Sequence, residues 1–198
     1  YFDNAATSFP KPEEVYVFMD DYYRNNGVNS SRGQYALASN AANLIFETRQ
    51  LLLSLFHCPT FKVVFTHSAT EALNIILQGI NIKLGANVYI SPFEHNAVTR
   101  VLEYLSQKNH FNVIQLPVNK QTLNYEVDEI SKQFLIRKPD TVIISHASNV
   151  CGVIAPVEKI FLQAKQFGAT TIVDMAQTAG LIDLNINQEI IDFAVFAG

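Results

Sequence analysis

Four short stretches of this 198-residue chain gather side chains able to do chemistry. They are Ser68-Ala69-Thr70, His95 within SPFEHNAV, Asn149 within SHASNVCG, and Asp174 with Gln177 within IVDMAQTAG. Asp174 ends an apolar run, and a carboxylate at the tip of a buried strand needs a partner. A protonated ring nitrogen or a metal would serve, and so would a nearby Arg or Lys. Ser68-Ala69-Thr70 leads into a helical pattern, where backbone N–H groups, a hydroxyl and the helix dipole make a phosphate site. With Glu71 the same residues also read as a capping box, which uses those donors internally. His95 stands at a strand-to-helix junction, as a packing or capping group or as a ligand or base. Asn149 lies in a turn before Gly152, where Asn often serves only the backbone.

The elements that must position these groups follow from periodicity. A first helix is expected over 12–26, with Gly27 just past its end, and a longer amphipathic helix over 41–56. Beyond it, short apolar runs at 62–65, 88–90, 111–116, 141–145, 170–173 and 192–196 read as strands. Helical stretches at 70–79, 97–108, 127–138 and 157–167 alternate with them. Repeated βαβ units predict an α/β three-layer sandwich with a mostly parallel central sheet, helices on both faces and any ligand outside the carboxyl ends of the strands. All four stretches fall at that rim.

Composition narrows the function classes. Hydrophobic residues at 48% against 16% charged ones give an ordered globule with a sizeable core. A net charge of -4, with Lys and Arg scattered singly, offers no stripe for nucleic acid or anionic lipid. No apolar run is long enough to span a bilayer, and no signal-peptide pattern opens the chain. Two cysteines, Cys58 and Cys151, argue against a disulfide framework and fit a reducing, cytoplasmic setting. Neither G-x-G-x-x-G nor a Walker A run is present, so the usual nucleotide cradle is missing.

In this order and at these spacings, FTHSATEALN, FEHNAV, SHASNVCG and IVDMAQTAG resemble the pyridoxal-phosphate motifs of class V aminotransferase-like enzymes. The cysteine desulfurase and selenocysteine lyase group is the most similar, and the opening YFDNAATSFPKP resembles that group's N-terminus. The resemblance implies the large domain of the fold type I pyridoxal-phosphate transferases. Residues 1–198 would form its N-terminal part, with 1–40 as arm and helix and 41–198 as the alternating α/β core. It further implies pyridoxal 5'-phosphate as cofactor and no metal. Asp174 would hold the pyridine nitrogen protonated, so that the ring can act as an electron sink. Gln177 would donate to the phenolic oxygen, and Asn149 would sit near that oxygen and the substrate carboxylate. His95 would stack on the ring and is a candidate for proton transfer. The amides of Ala69 and Thr70, with the Thr70 hydroxyl, would hold the phosphate.

The implied reaction takes cysteine, or a similar amino acid, to alanine and enzyme-bound sulfur. The implied partners are a second copy in a homodimer and a sulfur-acceptor protein. Selenocysteine lyases, epimerases and aminotransferases share the motifs, and a non-catalytic binding module of the same fold is the other reading. In the family the Schiff-base lysine follows the strand that matches IDFAVFAG. It is therefore expected after Gly198, together with the C-terminal part of the protein, and residues 1–198 alone are expected to be inactive. Ala197 stands where a Ser or Thr commonly assists the phosphate. In NSSRGQYALAS, Ser31 and Tyr35 replace two family histidines. Cys58 and Cys151 are expected to be small buried packing residues.

Overall fold

The structure is a computed structural model that describes residues 1–187 and 189–197. The chain divides into two compact units, Tyr1–Val63 and Val64–Gly198.

In the first unit, α1 (Glu13–Asn26) and α2 (Ala36–Leu55) pack on each other. Pro12, with its locked φ, precedes α1, and Glu13, Glu14 and Arg24 place charges at the helix ends that complement its dipole. Helix α2 starts at Ala36, earlier than expected. Ala36-Leu37-Ala38 are strong helix formers, but Tyr35 at the N-cap supplies no side-chain cap, so no start signal marks them in the sequence.

The stretch 62–65, expected as a strand, is not one. Among the described residues no strand pairs with it; the Val63 carbonyl accepts from Arg49 Nε at 3.2 Å, and Val64 is exposed. An apolar run becomes a strand only where a neighbour satisfies its backbone groups.

The second unit carries the parallel sheet. Its strands are β1 (Asn87–Ile90), β2 (Asn112–Gln115), β3 (Thr141–Ser145), β4 (Thr170–Asp174) and β5 (Phe193–Val195), in the order β2-β1-β3-β4-β5 with every pairing parallel. Helices α3 (Ala69–Gly79), α4 (Asn96–Asn109), α5 (Val127–Ile136) and α6 (Val157–Lys165) cover it. Helix α4 leads outward from β1 to β2, whereas α5 and α6 lead back the other way, and right-handed crossovers then place them on opposite faces. Accordingly α3 packs with α4, and α5 with α6. The result is the α/β three-layer sandwich expected from the alternating pattern.

Side chains alternate across each strand. Val88 and Ile90 join Leu73, Leu77, Leu102, Ile143 and Ile172 in the core beneath α3 and α4. Tyr89 points the other way, onto Phe134 of α5 with ring centroids 4.9 Å apart. All five residues of β3 are buried, as befits a strand covered on both faces. Helix α5 stops at Ile136, short of the expected end: Arg137 is already extended, and Pro139 disfavours a helical Lys138. The connections reverse direction at β1, so the carboxyl ends of β1 and β3 flank the topological switch point, where folds of this kind open a ligand crevice.

Candidate functional site

The loop after β1 carries His95, the turn after β3 carries Asn149, and β4 ends in Asp174 with Gln177 just beyond it. Helix α3 runs toward the start of β1, so its first residues, Ala69 and Thr70, lie toward the carboxyl edge as well. Parallel topology thus gathers all six sequence-selected residues along one rim.

Asp174 is 6% exposed and stands opposite Ser145 in the β3–β4 register. Its Oδ1 accepts from the Ala176 N–H at 2.9 Å. Loss of hydration outweighs that bond and raises the carboxyl above its ordinary range, while His95 acts on it as the opposing charge. His95 is the exposed N-cap of α4, and its Nδ1 accepts from the Ala97 N–H at 3.1 Å. In the neutral imidazole the proton is then on Nε2. Gln177 is partly buried on the turn after β4, where the Met175 carbonyl accepts from the Thr178 and Ala179 N–H groups.

At the start of α3 the Ser68 hydroxyl accepts from the Glu71 N–H at 3.1 Å. The return bond of a capping box goes one residue further out, with the His67 N–H donating to Glu71 Oε2 at 2.6 Å. Among the described residues no hydrogen bond engages the N–H groups of Ala69 and Thr70, which leaves two donors at the dipole's positive end.

Asn149 is exposed, and Cys151 is exposed too, contrary to its expected burial. The segment closes as a tight hairpin, with the Ser148 N–H donating to the Val153 carbonyl and Ala147 bridging to Ile154. Residues 149–152 form its tip and face solvent. The Ser148 side chain and the Val153 backbone hold the Cys151 thiol below its usual value, whereas burial pushes the Cys58 thiol up. Iodoacetamide should therefore alkylate Cys151 at least about tenfold faster than Cys58, because the thiolate is the reactive form. Peptide mass spectrometry over a time course measures the ratio, and equal rates would contradict the placement.

Sequence reasoning passed over two further groups. His146 is buried; its Nδ1 lies 2.9 Å from Thr178 Oγ1 and its N–H donates to the Asp174 carbonyl at 2.8 Å. It thereby ties the turn that carries Gln177 to the end of β3. Loss of hydration lowers its proton affinity, with Glu158 opposing. The unfolded chain takes up that proton near pH 6.5 and the folded chain only at lower pH. Stability from the neutral ring is thus complete above that pH and is lost as pH falls below it. Thermal melts between about pH 7.5 and 5.5 should show a falling Tm, and His146→Gln, which cannot titrate, should flatten the slope. Identical slopes would exclude this role.

The second group is Glu94, whose residue stays partly exposed while its carboxyl reaches across to Ser145. Oε1 accepts from the Ser145 N–H at 2.6 Å and Oε2 from the Ser145 hydroxyl at 2.9 Å. Desolvation pushes it up to about 8 against those two bonds, with Asp174 adding like-charge repulsion. Its only signal in the sequence was its place beside His95.

The aminotransferase class-V model matches residues 1–198. The chain belongs to the aminotransferase class-V family. This class-V chain is 29% identical over its whole length to a probable cysteine desulfurase of Pyrococcus abyssi, covering 49% of that protein. It is 30% identical to one of Halalkalibacterium halodurans, again over 100% of this chain and 49% of the relative. Among solved structures, an apo cysteine desulfurase from Thermococcus onnurineus NA1 superposes with a TM-score of 0.90 at 29% identity, over 100% of this chain and 49% of that one. The cysteine desulfurase CsdA from Escherichia coli gives 0.81 at 27% identity, over 98% and 49%. The class-V chain thus spans about half the length of the relatives it matches. Enzymes of the aminotransferase class-V family generally depend on pyridoxal phosphate. Among the described residues no group of three or more His, Cys, Asp or Glu side chains could hold a metal, and no helix is long and apolar enough to cross a membrane.

Proposed function

We propose that this chain holds pyridoxal phosphate along the carboxyl edge of its sheet, and that the protein to which it belongs removes sulfur from cysteine, leaving alanine. The observation that carries the reading is Asp174, a buried and poorly hydrated carboxylate at the end of a parallel strand, beside an exposed imidazole. A proton-bearing ring nitrogen is the partner such an acid lacks. The other donors fit the same molecule: two N–H groups at the start of α3 for a phosphate, and the flat imidazole of His95 for a ring face.

When bound, pyridoxal phosphate supplies an electron sink for the substrate's α-carbon. In this reading Asp174 keeps the pyridine nitrogen protonated, Gln177 donates to the phenolic oxygen, and Ala69 and Thr70 bind the phosphate. Asn149 lies near the substrate carboxylate, and His95 covers the ring and moves a proton at the substrate. The sulfur passes to an enzyme thiol: cysteine and a thiol give alanine and a persulfide, with atoms balanced and no outside oxidant. The anchoring lysine and that thiol are assigned to residues outside 1–198. Homodimerisation and transfer of sulfur to an acceptor protein belong to the same reading, and the exposed Phe18 and Met19 on α1 support association.

Two measurements test it. Equilibrium dialysis of the purified chain should show saturable, one-to-one binding of pyridoxal phosphate. The full-length protein given cysteine should form alanine in step with protein-bound sulfur. A chain that binds no cofactor would overturn the first half of the reading, and a cofactor-loaded protein that makes no alanine would overturn the second.

A further inference from the structure

Glu94 spans the switch point of the sheet. It follows β1, and both of its carboxyl oxygens reach the end of β3, at the backbone and the hydroxyl of Ser145. A second tie holds the same loop, since Ser91 Oγ accepts from the Phe93 N–H at 3.0 Å and lies 2.6 Å from Tyr125 Oη. The Phe93 and Tyr125 rings meet edge to face at 6.0 Å. Between these ties and α4 sits His95, whose Nδ1 is already committed to the Ala97 N–H. The imidazole therefore has little freedom left while Glu94 stays in place.

The geometry points to Glu94 as a positioning residue: by fastening the loop after β1 to Ser145 on β3, it sets where His95 stands relative to Asp174. Its relevance to the cofactor rests on the proposed function above, but the clamp itself does not. The groups that act on its carboxyl are Ser91 of its own loop, Ser145 of β3, Asp174 of β4 and Tyr125 ahead of α5, while His95 acts on Asp174. Desolvation favours the neutral acid at physiological pH. A neutral Glu94 removes its like-charge repulsion with Asp174, the acid that a ring N–H would meet. Glutamine can imitate such a neutral acid: its Oε1 accepts from the Ser145 N–H and its Nε2 donates to the hydroxyl.

The test uses the chain with Glu94→Ala, Glu94→Gln and Ser145→Ala, each with and without His95→Ala. In the apoprotein, NMR of the His95 ring should show displaced resonances in Glu94→Ala and near-native ones in Glu94→Gln. With pyridoxal phosphate as the probe, Glu94→Ala should weaken binding about tenfold and Glu94→Gln less than about threefold. In the His95→Ala background the Glu94→Ala penalty should shrink to within about twofold, the coupling expected of a residue that acts through another. If Glu94→Ala does not fold, Ser145→Ala must show a smaller loss that likewise vanishes without His95. An unchanged His95 spectrum, an equal penalty in both backgrounds, or a Glu94→Gln as impaired as Glu94→Ala would overturn the inference. If the unmodified chain binds no cofactor, the proposed function fails, and the His95 spectra alone still decide the clamp.

Discussion

Asp174→Asn is expected to weaken binding of pyridoxal phosphate about a hundredfold while making the apoprotein more stable. The carboxylate pairs with a protonated ring nitrogen in the proposed site, and asparagine removes the charge while keeping an oxygen for the Ala176 N–H. A buried hydrogen bond to a charged group is worth roughly 1.5–3 kcal/mol, so affinity should fall about a hundredfold. The stability effect has the opposite sign. The folded chain raises the Asp174 carboxyl above its ordinary range, so the folded state holds a proton that the unfolded state releases. Stability is then lost as pH rises from about 4 through the folded value, and the uncharged amide escapes that loss. Calorimetric titration with the cofactor and thermal melts from about pH 4 to 8 read both effects. A variant that binds as tightly as the parent chain would remove the central support of the proposed function.

Phe134→Ala should be the most destabilising single change in the second unit, with little effect on cofactor affinity in whatever fraction stays folded. Phe134 is fully buried, meets Tyr89 edge to face at 4.9 Å and approaches Phe167 at 6.4 Å. Truncating a buried phenylalanine costs roughly 3–5 kcal/mol in transfer and cavity terms, to which the lost aromatic pairs add. For a chain of this length that lowers Tm by on the order of 10 °C. The cluster also anchors the Tyr89 hydroxyl, which donates to the Arg137 carbonyl at 2.8 Å, just past the end of α5. Helix α5 ends where β3 begins, so this packing lies toward the amino edge, away from Asp174 and His95. Urea unfolding and cofactor titration of the same variant separate the two effects. A loss of affinity without a loss of stability would mean that the two edges are coupled in a way the packing does not predict.

Most helices and strands, the parallel α/β class and the rim of candidate residues were legible because each rests on near neighbours in the chain. Apolar runs such as Thr141–Ser145 and the capping hydroxyl of Ser68 announce themselves within a few residues. The order β2-β1-β3-β4-β5 is a different kind of fact, decided by which strands pair across long connections. For the same reason the stretch 62–65 looked like a strand, although among the described residues no strand pairs with it. Cys151 looked buried until its hairpin tip turned toward solvent. Glu94 is the clearest case: its partner Ser145 lies 51 residues away, and neither residue signals the other in the sequence. The sequence by itself determined which residue types stand at the ends of the strands, since periodicity and capping act over one or two turns of chain. The tertiary structure alone decided which of them are dehydrated and which face each other, because burial and charge coupling depend on distance through space.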